Sequence, residues 1–158
     1  MTALEGVDGA SGKRGPKVIM GFDGSEPSVE ALRWAARQAD STGSLLEVIM
    51  AWEWPASYGW SFSLPESYSP DDEAQSVLDV AAERLRGDHP RLKVQTTAIE
   101  GRPGPTLVAA SHDADLLVVG SRGHGSFSGM LLGSVSQYCV AHAACPVVVY
   151  RDQKPHPD

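Results

Sequence analysis

Short apolar runs without a polar break recur along this chain, each set apart by a turn and a stretch of helical period, and this alternation limits the possible folds most. Val18-Ile19-Met20-Gly21-Phe22, Leu116-Leu117-Val118-Val119-Gly120 and Pro146-Val147-Val148-Val149-Tyr150 are too short for buried helices. They also lack the in-out alternation of a strand with one wet face. They read as strands covered on both sides, as in parallel sheets. Two further strands are expected over 44–51 and 92–99.

The helical stretches fall between them. After Asp23-Gly24-Ser25, the residues Val29, Leu32, Ala35 or Ala36, and Ala39 recur at helical spacing, with Ser25 available as N-cap. Further on, Ser69 is suited to cap, Pro70 to open, and Asp71 and Asp72 to favour the positive end of a helix that Gly87 would stop. Its apolar stripe is Ala74, Val77, Leu78, Ala81 and Leu85. Pro105 is expected to open a third helix running to about His112, and 133–143 a fourth. Strands and helices in this alternation predict an α/β fold: a single doubly wound, five-stranded parallel sheet with right-handed crossovers, helices on both faces and strand order 3-2-1-4-5. In that order the first and fourth strands are neighbours from which the chain grows in opposite directions. Their carboxyl ends then leave the crevice where such folds bind ligands.

Composition narrows the function. With 158 residues, 42% hydrophobic and 21% charged, one globular unit is expected. Residues 1–16 read as a flexible leader, 17–151 as the folded domain and 152–158 as a tail. A net charge of −7 with no basic cluster beyond Lys13, Arg14 and Lys17 argues against nucleic acid as a partner. No apolar stretch approaches the roughly 20 residues of a membrane helix, and the leader lacks a secretory signal, so a cytoplasmic location and no membrane partner are expected. Cys139 and Cys145 read as reduced, buried thiols.

The residues at the expected crevice are unusual. The first strand ends at Gly21-Phe22-Asp23-Gly24-Ser25, and the fourth at Gly120-Ser121-Arg122-Gly123-His124-Gly125-Ser126. The chain reaches Gly133-Ser134-Val135-Ser136 at the start of a helix a few residues later. Glycines at 120, 123 and 125 would let backbone N–H groups approach an anion closely and adopt positive φ, while helix amides and the Ser134 and Ser136 hydroxyls would supply a second set of donors. Arg122 and His124 are equally readable as phosphate-neutralising or as solvated, and Met130 as packing beneath the loop. Gly12-Lys13 is not the end of a phosphate-binding P-loop, since Val7 stands where its first glycine is needed and Arg14 where a hydroxyl would hold Mg²⁺. Nor is Gly120-Ser121-Arg122-Gly123 a dinucleotide fingerprint, because the next helix starts too late.

Gly120, two residues, Gly123, nine residues, then Gly133-Ser134 resembles the G-2x-G-9x-G-S/T nucleotide motif of the universal stress protein family. The stretch from Val18 through Asp23-Gly24-Ser25 resembles that family's first strand and turn, and Ala144-Cys145-Pro146-Val147-Val148-Val149 its closing strand. The resemblance covers roughly 17–151 and implies a Rossmann-like fold of the adenine nucleotide alpha hydrolase type, binding ATP with Mg²⁺. It implies that Gly120 and Gly123 approach the ribose and phosphates, that Gly133, Ser134, Val135 and Ser136 hold the phosphate chain, and that Asp23 lies beside the nucleotide and any metal. Gly21 would leave room for the ligand, and the Ala51 backbone would contact adenine. It further implies a stress-response homodimer, which the last strand, an edge in the expected order, suits.

Regulation by nucleotide occupancy, acting on a protein partner that the sequence does not identify, is the first functional reading. A slow ATPase or self-phosphorylating enzyme is the alternative, although no nucleophile and base stand at recognisable spacing. Cyclic AMP or a flavin presents the same phosphate and flat ring as ATP. The aromatic residues Trp52, Trp54, Tyr58, Trp60, Phe62 and Tyr68 form either a partner surface, a lid over adenine, or a cluster folded back on the domain.

Overall fold

A computed structural model describes residues 14–55, 65–122 and 132–151. The elements run β1 (Lys17–Gly21), α1 (Glu26–Thr42), β2 (Leu45–Trp52), α2 (Pro70–Asp88), β3 (Val94–Glu100), α3 (Pro103–Ser111), β4 (Leu116–Gly120), α4 (Ser134–His142) and β5 (Val147–Tyr150). All strand pairs are parallel, and the order across the sheet is β3-β2-β1-β4-β5. The expected fold class and strand order are those observed.

The apolar runs are covered on both sides because successive side chains of a strand point to opposite faces. Val18 and Met20 of β1, Leu46 and Val48 of β2, and Val118 of β4 pack with α1 and α2. Ile19, Ile49, Leu117 and Val119 point the other way, into a core with Leu107 of α3 and Cys139 of α4. Glu47 and Lys17 are the two charges on the inner strands, and they pair with each other. Glu47 is 8% exposed and is satisfied by Lys17 Nζ at 2.5 Å and by the Thr97 hydroxyl at 2.9 Å. No helix of the described residues is long and apolar enough to cross a membrane.

Helix starts follow local chemistry. The Ser25 hydroxyl accepts from the Ser28 N–H and caps α1, and the Ser69 hydroxyl accepts from the Asp72 N–H and caps α2, with Pro70 in its first turn. Several boundaries shift by a residue or two, β3 beginning at Val94 rather than at 92, and two helix boundaries differ for reasons visible in the structure. Helix α3 begins at Pro103, so Pro105 sits inside its first turn, where a missing N–H costs nothing because those amides have no intrahelical acceptor. Helix α2 runs through Gly87 to Asp88, and the chain turns at His89, whose N–H bonds the Leu85 carbonyl at 2.7 Å. Gly87 is not among the described glycines with positive φ, so nothing there requires a left-handed cap.

Candidate functional site

Strands β1 and β4 lie side by side at the centre of the sheet, with Met20 opposite Val118. The chain passes from the end of β1 into α1 on one face, and from the end of β4 towards α4 on the other. Asp23 therefore lies past the end of β1, and Ser121 past the end of β4, on the two sides of the switch point.

The turn after β1 is locked by its own polar atoms. Asp23 Oδ1 accepts from the Ser25 N–H at 2.8 Å and from the Ser25 hydroxyl at 2.5 Å, an arrangement that Gly24 makes possible by taking φ +78°. The Asp23 carboxylate is thereby held over the start of α1. On the β4 side, the Ser121 N–H bonds the Tyr150 carbonyl at 2.8 Å, and the Ser121 carbonyl accepts the Gly133 N–H at 2.6 Å. The end of β4 and the beginning of α4 are thus joined directly.

Helix α4 starts without the device used by α1 and α2. Its N-cap is Gly133, extended at φ −72° and ψ 166°, which has no side chain to cap with, and among the described residues no side chain bonds the first-turn amides. The N–H groups of Ser134, Val135 and Ser136 have no acceptor within the helix. Helix alignment adds partial positive charge at the same place, which favours an anion.

The individual expectations are met unevenly. Gly133 spends its N–H on Ser121 and so is a cap, while Ser134 is exposed at the helix start. Ser136 is 1% exposed and its hydroxyl donates to the Gly133 carbonyl at 2.9 Å and, at 3.4 Å, to that of Ser121. Its side chain therefore braces the turn, leaving its amide as the group available to an anion. Gly120 does not take positive φ; its small size matters because a Cβ there would lie 3.3 Å from the Arg122 carbonyl. The space left by Gly21 is filled from below: a Cβ would meet Leu107 Cδ1 at 2.6 Å, so the buried Leu107 side chain of α3 would have to shift to admit a larger residue here. Ala51 lies two residues beyond Ile49, whose carbonyl accepts the Phe22 N–H, and so overhangs the end of β1. Arg122 is half-buried at the mouth of the loop. Gly123, His124, Gly125, Ser126 and Met130 lie outside the described residues, as do Tyr58, Trp60 and Phe62.

The described aromatics are gathered on one another. Trp52 and Trp54 meet edge to face at 5.9 Å, Trp54 and Tyr68 at 6.4 Å, and the Trp52 indole N–H donates to Asp71 Oδ1 at 2.9 Å. This part of the aromatic segment is folded back onto the start of α2. The joining of Ser121 to Gly133 was not visible in sequence, since its atoms are backbone; the only trace was glycine directly before a helix start.

Cys139 is buried in α4, and desolvation, helped by the neighbouring Cys145, pushes its thiol up to about 11. Cys145, half-buried, is raised by burial and by Asp115. Among the described residues no cluster of three or more His, Cys, Asp or Glu is placed to hold a metal. Asp23 alone fits Mg²⁺ as one carboxylate beside phosphate oxygens and water, the ordinary way that ion is held.

Sheet and strand order together define a doubly wound α/β protein with its topological switch point between β1 and β4. The model of the Universal stress protein family matches residues 16–151, and the chain belongs to that family. It is 35% identical over 160 residues to the universal stress protein Rv2623 of Mycobacterium tuberculosis, an alignment covering 94% of this chain and 52% of that protein. The chain spans about half the length of the curated relatives it matches. Among solved structures, a universal stress protein in complex with cAMP is 26% identical with a TM-score of 0.63, the alignment covering 85% of this chain and 95% of that one. The universal stress protein from Archaeoglobus fulgidus in complex with dAMP is 22% identical with a TM-score of 0.60, covering 86% and 97%.

Proposed function

We propose that this chain binds an adenine nucleotide, ATP with Mg²⁺, in the crevice between β1 and β4 and acts as a nucleotide-dependent regulatory protein of the stress response. The observation that carries the reading is the bare N-terminus of α4, with the amides of Ser134, Val135 and Ser136 unbonded within the helix, across the switch point from the Asp23 carboxylate. The phosphate chain would lie on those amides, with Gly120, Ser121, Arg122, Gly123, His124, Gly125 and Ser126 as further contacts, Asp23 would hold the Mg²⁺ that neutralises phosphate charge, and adenine would meet the Ala51 backbone. Support comes also from the adenine nucleotides held by the two solved relatives. Occupancy would regulate by favouring one arrangement of the chain between β4 and α4, provided the two arrangements differ in nucleotide affinity. The outer edge of β5 is the surface on which a second copy would pair to form a homodimer.

Calorimetric titration of nucleotide-free protein with ATP, ADP, AMP and cyclic AMP, with and without Mg²⁺, tests this. Affinity rising with phosphate number supports the phosphate cradle. Cyclic AMP binding as tightly as ATP would favour the second reading, a cyclic-nucleotide binder, which the cAMP-bound relative supports. No binding of any of them would refute both.

A further inference from the structure

We infer that the groove between α1 and α2, which adjoins the nucleotide crevice at Phe22 and Gly24 and runs away from it along the two helices, is a second binding site, and that it takes an acyl carboxylate: an aliphatic chain with an acidic head. The two helices cover the same face of the sheet but splay apart, leaving a cavity of about 620 Å³. This lies within the usual range for small-molecule sites, roughly 300–1,000 Å³.

Its walls are Val29 and Leu32 of α1 and Val77, Val80 and Leu85 of α2, with Phe22 among them. Leu32, Leu85 and Phe22 belong to the buried core and form the floor of the groove, which is open to solvent along Val80. Val80 is 53% exposed, and among the large hydrophobic residues described only Val140 is as open. Walls of branched aliphatic side chains suit a flexible chain, whereas a flat ring would find only Phe22 to stack on.

The charged residues lining the groove select the head group. They are Arg33 on one helix and Arg84 and Asp88 on the other, a cationic balance on a chain whose net charge is −7. Arg33 is bridged to Glu30 at 2.8 Å, while Arg84 is exposed and has neither hydrogen bond nor ion pair among the described residues. A guanidinium offers parallel N–H donors that match a carboxylate. A chain threaded over Val80 would bring its head to Arg84, one helical turn along.

The test uses nucleotide-free full chain, the fluorescent fatty acid cis-parinaric acid as probe, and dodecanoate and dodecanol as competitors. Dodecanoate is expected to displace the probe roughly tenfold better than dodecanol, a margin set by one charge-assisted hydrogen bond. Arg84→Gln should erase that margin. Val80→Glu should abolish probe binding while leaving the urea unfolding midpoint in place, since the position is half exposed and the new carboxylate faces Arg84. The proposal is overturned if wild type does not bind the probe, if V80E binds it unchanged, or if dodecanol competes as well as dodecanoate. Displacement of the probe by ATP alone would also overturn it, placing the chain in the nucleotide crevice. Loss of ATP binding with retained probe binding would count against the proposed nucleotide function only.

Discussion

Gly21 sits where a nucleotide-binding reading wants an open position, yet its Cβ direction points into Leu107 of α3. Gly21→Ala should therefore cost stability, about 1–3 kcal/mol for overpacking, and leave ATP affinity nearly unchanged. Urea unfolding and titration of the same variant check both halves, and a loss of affinity at unchanged stability would return the glycine to the ligand. At Cys139 the thiol is raised from 9.0 to about 11, so between those values the native state keeps a proton that the unfolded chain has released. The stability from this group is thus fully present below about pH 9 and lost as pH rises through 11. Cys139→Ala should show a shallower decline of stability over that window than wild type. Residue identities at the site were legible in sequence because Asp, Gly and Ser at a strand end have few uses. What each does was less legible: Gly21 and Ser136 answer to Leu107 and to two backbone carbonyls, partners distant in sequence or carried by the main chain.

Among the elements, α4 carries most of the proposed site. Ser134→Asp would place a carboxylate at its uncapped start, where negative charge stabilises a helix by roughly 0.5 kcal/mol. The same charge should repel phosphate and reduce ATP affinity by at least about tenfold, a factor that corresponds to about 1.4 kcal/mol. Stability and affinity moving in opposite directions would identify the helix start as the anion site; an unchanged affinity would remove it. The nine elements were readable because each apolar run and each Ser-capped stripe is a local signal. Beyond shifts of a residue or two elsewhere, the readings at Pro105 and Gly87 failed, at residues that often mark an element's end. Neither forces one: a proline inside the first turn gives up no intrahelical bond, and a glycine at ordinary φ ends nothing.

For the whole molecule, strand order was legible because the lengths of the α/β units leave few ways to cover both faces of the sheet. The crevice follows from that order. The carbonyls of Pro146 and Tyr150 bond towards β4, so by the two-residue period of a strand the main chain of Val149 faces outward. Val149→Pro would remove an outward N–H and, if β5 pairs with its copy, convert a dimer to a monomer in sedimentation velocity while the unfolding midpoint stays within a few degrees. A monomeric wild type would exclude that assembly. The bond from the Gly133 N–H to the Ser121 carbonyl has a broader consequence. It fixes both ends of the intervening segment to the scaffold independently of what the segment contains. Changing its length then adds only a logarithmic chain entropy, about 0.6 kcal/mol per doubling.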